Sequence, residues 1–239
     1  MHQLLAPVGI IGGLSWASTI QYYRLINLEI NRALGKQTSA ELMVRSVNFQ
    51  PVIDAQTRGD WQAAVEILVA AARDLERGGA KAFLIASNTM HSCYDQVARE
   101  VGIPGINIFD ATCDALHEKK IDRALLLGTR YTMGMPFYRN EYQRRGIDVT
   151  TPEEADARRV NEIILKELIH DRVRPDSVRH FHDLVEREAA RGTRALILGC
   201  TELELLARAR DASLACQIID TTSCHASAAA KWMMRAERA

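Results

Sequence analysis

Neither sign of charge prevails in this chain: 30 Lys and Arg offset 30 Asp and Glu. A balanced surface offers no electrostatic footprint for nucleic acid or an anionic membrane, so neither partner is expected. No apolar run approaches the roughly 20 residues needed to span a bilayer. Met1 to Leu14 holds an apolar patch but no basic leader and no small-residue cleavage site, so no signal peptide is expected. The five cysteines are scattered and odd in number, which argues against a disulfide framework and for a reducing, cytoplasmic setting. Cys224-His225 with His180 and His182 lacks the spacing of a metal site, so no metal is expected. Gly9-x-x-Gly12-Gly13 is not the dinucleotide pattern Gly-x-Gly-x-x-Gly, and no Walker lysine comes after it. What is present is 239 residues with 47% hydrophobic content, enough to bury one large core or two smaller ones.

Short apolar runs alternate with amphipathic segments. Val8 to Ile11, Glu41 to Phe49, Ala82 to Ala86 and Gly105 to Phe109 read as strands. After Ser15, a capping residue, Ile20, Tyr23, Ile26, Ile30 and Leu34 fall at helical spacing until Gly35. Trp61 to Arg77 reads as a helix with Trp61, Val65, Leu68, Ala72 and Leu75 on one face and Gly78-Gly79 as its stop, and His91 to Glu100 as a short helix. This alternation predicts an α/β fold with mostly parallel sheets flanked by helices. The second half restates the first. The strand Ala124 to Leu127 ends in Gly128-Thr129, and the helix Asp176 to Arg191, closed by Gly192, leads into the strand Ala195 to Leu198. Aligning Lys81-Ala82 with Arg194-Ala195 sets Ser87-Asn88-Thr89 opposite Cys200-Thr201-Glu202. Duplication accounts for this order of features; generic β–α monotony is the competing reading.

Ligands of open parallel sheets bind beyond the carboxyl ends of the strands, where Ser87 and Cys200 both fall. If the halves are related by a pseudo-two-fold axis, these two residues face one another across a cleft. A thiol at a helix start is expected to have a lowered pKa. The N–H groups of the Ser87-Asn88-Thr89 turn, with nearby hydroxyls, would cradle a carboxylate. The competing reading makes Cys200 a small buried hydrophobe.

Gly12-Gly13-Leu14-Ser15-Trp16-Ala17-Ser18-Thr19, Ser87-Asn88-Thr89-Met90-His91 and Gly199-Cys200-Thr201-Glu202-Leu203 resemble the three signatures of the aspartate/glutamate racemase family. Ser46-Val47-Asn48-Phe49 and Gly128-Thr129-Arg130-Tyr131-Thr132-Met133 resemble it too, so the likeness runs from Val8 to about Trp232. The resemblance implies two similar lobes, read here as 1–115 plus 208–239 and 116–207, with the active site between them. It also implies a homodimer, no pyridoxal phosphate or other cofactor, no metal, and two facing thiols that remove and return the α-proton of an amino acid. The second-half cysteine then faces the α-proton of the L form.

On that resemblance Cys200 and Ser87 are the catalytic pair, and Asn88, Thr89 and Thr201 bind the α-carboxylate. Gln56, Thr129 and Thr132 line the pocket. Arg130 is either the cation for a second carboxylate or a surface loop charge, and His91 either reaches the site or lies on a helix surface. The chain departs from the family where the first thiol should be, since Ser87 stands there, and Ala17 replaces the usual Glu of the first motif. An alcohol is a far weaker acid than a thiol, so Ser87 suits proton relay or substrate holding better than symmetrical two-base exchange. This leaves two enzymatic readings: a racemase of aspartate or glutamate, or a single-cysteine decarboxylase or isomerase of a malonate- or maleate-like dicarboxylate. A non-catalytic dicarboxylate-binding protein is the third.

Overall fold

The computed structural model describes residues 5–209 and 214–235. It divides into two compact units, Met1–Ile108 with His225–Ala239, and Phe109–Cys224.

The first unit contains β1 (Val8–Gly12), α1 (Trp16–Leu34), β2 (Leu42–Ser46), α2 (Phe49–Arg58), α3 (Trp61–Arg77), β3 (Ala82–Ile85), a 3-10 turn (Thr89–Cys93), α4 (Tyr94–Arg99) and β4 (Gly105–Ile106). The second is built from α5 (Ile108–Glu118), β5 (Arg123–Leu127), α6 (Arg130–Gly134), α7 (Pro136–Arg144), β6 (Asp148–Thr150), α8 (Glu154–Lys166), a 3-10 turn (Leu168–His170), α9 (Pro175–Ala190), β7 (Ala195–Leu198), a 3-10 turn (Thr201–Leu203), α10 (Glu204–Ala207) and β8 (Gln217–Asp220). The last helix, α11 (Thr221–Arg235), carries the chain back to the first unit. Each unit has an all-parallel four-stranded sheet, in the orders β2-β1-β3-β4 and β6-β5-β7-β8. The same order in both sheets is the structural form of the sequence repeat.

Strand alternation sorts the core of the first unit. Ile11, Phe83 and Ile85 pack with Val65, Leu68, Ala72 and Leu75 of α3, as its apolar face predicts. Val8, Ile10 and Leu84 pack on the other face with Tyr22, Ile26 and Ile30 of α1 and Ala226, Ala229, Ala230 and Met233 of α11. In the second unit Leu125, Leu127, Leu196 and Leu198 pack with α8 and α9 through Ile163, Ile164, Phe181, Leu184 and Val185. Strands covered on both faces read as continuous apolar runs, which is why β1, β3, β5 and β7 were legible.

Several expectations are corrected. The strand expected over Glu41 to Phe49 ends at Ser46, because Asn48 caps α2 through its side chain, which accepts from Gln50 N at 3.2 Å. The strand expected over Gly105 to Phe109 stops at Ile106, since α5 begins at Ile108. The buried stripe of α1 is Ser18, Tyr22, Ile26 and Ile30, whereas Ile20 and Tyr23 lie exposed. The units divide at 108/109 and 224/225 rather than at the sequence-read 115/116 and 207/208. The reason is that β8 pairs with β7 and holds 217–220 in the second unit, while the helix after β4 joins the second unit and most of the helix after β8 joins the first.

Candidate active site

In a parallel sheet of this order the winding reverses between its first and third strands, and the crevice beyond their carboxyl ends is the usual ligand site. In the first unit the reversal lies between β1 and β3, which end in Gly12-Gly13-Leu14-Ser15 and Ala86-Ser87-Asn88-Thr89. In the second it lies between β5 and β7, which end in Gly128-Thr129 and Gly199-Cys200-Thr201-Glu202. All the sequence-predicted site residues except Gln56 therefore fall at three of these strand ends, those of β3, β5 and β7.

The second unit brings its candidates close together. Leu127 pairs with Leu198, and Gly199 N donates to Leu127 O at 2.7 Å, so the β5 and β7 turns are neighbours. Gly199 has no room for a side chain: a Cβ there would lie 2.9 Å from Thr132 Cγ2 and 3.0 Å from Leu127 O. Thr129 caps α6, accepting from Thr132 N at 3.4 Å, and the hydroxyls of Thr129 and Thr132 are 3.3 Å apart. Thr132 is buried and fills the space beside the two glycines, so half-buried Thr129 is the member of the pair open to a ligand. Arg130 is exposed, with its backbone N–H on Asn161 at 2.8 Å and its guanidinium donating to Tyr131 OH at 2.9 Å and stacked over that ring.

Cys200 is half-buried and extended (φ −145, ψ 130) at the end of β7. Its thiol donates to Glu202 Oε2 at 2.9 Å, and the Thr201 hydroxyl donates to the same oxygen at 2.6 Å. Burial first, and the Glu202 carboxylate second, hold the Cys200 thiol well above its ordinary value. The lowering expected from a helix start does not occur. Past Cys200 the chain makes only a three-residue 3-10 turn and a four-residue helix, whose weak dipole is outweighed by desolvation and a neighbouring negative charge. Of the remaining thiols Cys93, Cys113 and Cys216 are buried and Cys224 is half-buried, and burial pushes Cys113 up to about 12.

In the first unit Ser87, Asn88 and Thr89 form one half-buried turn. Ser87 N already donates to Ile85 O at 2.8 Å, and the amides just past the turn are used as well, Met90 N by Ser87 Oγ at 3.4 Å and His91 N by Asn88 O at 3.0 Å, so the carboxylate cradle is less open than expected. His91 fits neither alternative left by its sequence position: it is 1% exposed, with Nδ1 on Ser87 O at 2.7 Å and Nε2 accepting from Ile108 N at 3.2 Å. Gln56, buried near the end of α2, keeps a side-chain amide nitrogen with no hydrogen-bond partner. A buried amide left unmatched is costly, and a ligand oxygen would satisfy it. Gly13 sits at φ +79 where a Cβ would collide with Val47 O at 2.1 Å, and Ser15 holds a strained φ of 114 beside it.

Among the described residues no group of three or more His, Cys, Asp or Glu side chains could hold a metal ion. A pyridoxal cofactor would need a lysine to form its Schiff base. All six lysines (Lys36, Lys81, Lys119, Lys120, Lys166 and Lys231) are exposed, and none lies on the four strand-end turns.

Glu202 is the residue sequence reasoning passed over. Its signal was present in the Cys-x-Glu spacing, but only the turn shows that two residues on means hydrogen-bond contact.

The sequence profile of the Asp/Glu/hydantoin racemase family matches residues 11–229. A crystal structure from Yersinia pestis, described as that of a candidate Asp/Glu racemase, is 40% identical, covers 96% of this chain and 99% of its own, and superposes with a TM-score of 0.90. An aspartate racemase homologue from Pyrococcus horikoshii is 30% identical over 95% of this chain and 98% of its own, with a TM-score of 0.83. A curated protein from the 3′ region of pnlA in Pectobacterium carotovorum is 33% identical over 101 residues, which span 42% of this chain and 66% of that protein's length.

Proposed function

The chain belongs to the Asp/Glu/hydantoin racemase family, and from that premise we propose that it racemises aspartate or glutamate without a cofactor, using Cys200 as acid and base. The observation that carries this reading is the thiol–carboxylate contact of 2.9 Å between Cys200 and Glu202. At neutral pH the raised thiol rests protonated. Glu202 takes the sulfur's proton as the substrate's α-hydrogen is engaged, and Thr201 keeps the carboxylate oriented through its own hydrogen bond. The thiolate then removes the proton from Cα; that C–H bond breaks, an S–H bond forms, and the electron pair delocalises into the α-carboxylate. Protonation on the other face by water, which Ser87 can hold or relay, gives the opposite enantiomer; the hydroxide left behind takes up the proton that Glu202 releases, which restores the carboxylate and leaves the thiol protonated. Asn88, Thr89, Thr129 and Gln56 supply donors for the carboxylates, with Thr132 bracing Thr129. Arg130 serves the side-chain carboxylate if it leaves Tyr131. The lysine-free turns support the absence of pyridoxal phosphate, and five free thiols support a reducing cytoplasm.

Deuterium exchange at Cα, monitored by NMR on each pure enantiomer in deuterium oxide, tests the reading. One thiol reaches the α-proton from one side, so the L form should exchange much faster than the D form. Net racemisation should be slower than that exchange. Equal rates for both forms would sink the single-thiol picture. Consumption of a malonate with no amino-acid exchange would move the protein to decarboxylase chemistry.

The expected homodimer finds support in α1. Trp16, Ile20 and Tyr23, 73%, 57% and 53% exposed, form one stripe on this helix. The same stripe continues to Asn27, whose side chain accepts from Ala40 N at 2.9 Å just before the edge strand β2, where Val44 is also exposed. An aromatic-rich apolar patch beside an unpaired edge suits a second copy of this chain. Ile20→Asp should shift the sedimenting species from dimer to monomer; a wild-type monomer at micromolar concentration would refute the assembly.

A further inference from the structure

Behind the Ser87 turn lies a buried pair of imidazoles that the proposed chemistry does not use. His91 and His225 are 1% and 0% exposed, and their ring centroids are 5.3 Å apart, edge to face. The neighbours dictate both protonation states. A carbonyl only accepts, so His91 Nδ1 must carry the proton given to Ser87 O at 2.7 Å, and Nε2 must be the bare nitrogen that accepts from Ile108 N. At His225 the assignment is reversed: Nε2–H donates to Ile106 O at 2.7 Å, and Nδ1 accepts from Tyr22 OH at 2.9 Å. Tyr94 of α4 stacks on His91 and Tyr22 of α1 meets His225 edge-on, so two phenols face the pair and each imidazole faces the other.

The anchors are not arbitrary. Ile108 is the last residue before the chain leaves the first unit and Ile106 lies two residues ahead of it, and His225 is the residue at which the chain returns. We propose that His91 and His225 form a neutral, tautomer-locked pair that ties the Ser87 turn to both crossing points, which makes His91 a positioning residue for the Ser87 side of the reaction. Tyr22 can rotate its hydroxyl and accept from a charged His225. The Ile108 amide cannot turn from donor to acceptor, so protonating His91 Nε2 sets N–H against N–H and breaks the tie. Burial, then His225, holds His91 well below 6.5, in keeping with this arrangement. The unfolded chain binds that proton more readily, so the tie stabilises the fold above about pH 6.5 and is lost as pH falls below it.

The role in catalysis rests on the racemase reading; the tautomer lock does not, and the tests separate them. Long-range nitrogen–proton NMR of histidine-labelled protein should show a neutral Nδ1–H form at His91 and a neutral Nε2–H form at His225 through neutral pH. An Nε2–H form at His91, or titration near pH 6.5, overturns the lock. For positioning, His91→Asn keeps a donor for Ser87 O, whereas His91→Phe removes it. His91→Phe should slow net racemisation by about tenfold or more while thiol-side exchange of the L form falls by much less. His91→Asn should recover most of the loss. A general folding defect would depress both rates together, and an unchanged His91→Phe would overturn the positioning role. If the wild type exchanges no amino-acid α-proton, the racemase reading falls and with it the catalytic role, while the NMR result still decides the lock.

Discussion

Cys200→Ala should remove α-proton exchange and racemisation, by at least about a thousandfold in kcat/KM, with the fold intact. Chemistry at Cα needs a base that holds the proton and hands it back, and the described turns offer one thiol for the task, at the end of β7. Cys93 and Cys113 are sealed in the core, with burial raising both thiols, so neither can substitute. The fold survives because Cys200 is half-buried at a strand end, and losing one sulfur there costs about 1 kcal/mol. Exchange rates on both enantiomers and a thermal melt decide it. Substantial residual exchange in a folded variant means another residue is the base.

Glu202→Gln is expected to cost about a hundredfold to a thousandfold in kcat at neutral pH, the usual range for a lost general base. The glutamine keeps the size and the acceptor oxygen but can no longer take the thiol's proton. The pH profile separates this from a structural defect. In the wild type the carboxylate's charge and its hydrogen bond both raise the thiol, with burial the larger cause. Removing the charge lowers the thiol's pKa, but with no carboxylate to take the proton the variant must wait for the thiol's own ionisation, so its activity should begin to rise at higher pH than the wild type's. Alkylation of Cys200 by iodoacetamide, which requires only thiolate, should shift the other way, to lower pH. A variant with wild-type kcat, or a reactivity profile displaced to higher pH, would falsify the dyad.

The cores were legible in the sequence because strands buried on both faces read as unbroken apolar runs; Val8 to Ile11 and Ala195 to Leu198 stand within a residue of their observed bounds. The α1 stripe shows where this stops. Ile20 and Tyr23 are as apolar as Tyr22 and Ile26, so spacing alone could not say which set faces the sheet. The short strand β4 failed for a related reason. Its apolar run continues into α5, and a helix start inside such a run carries no mark in periodicity.

The candidate site divides in the same way. Which residue types could do chemistry, and that they lie just past strand ends, was settled by the order of motifs along the chain, because a parallel sheet delivers every strand end to one side. The state of those residues was not. Cys200 is a raised thiol because the turn closes Glu202 onto it at 2.9 Å, against the lowering that a helix start alone would bring. His91 is a locked core imidazole because Ile108, His225 and Tyr94, distant or unmarked in sequence, surround it. Electrostatic and hydrogen-bond energies depend on distances of a few ångströms between groups that folding brings together. The sequence by itself determined the repertoire and its layout, and the tertiary structure decided the protonation states.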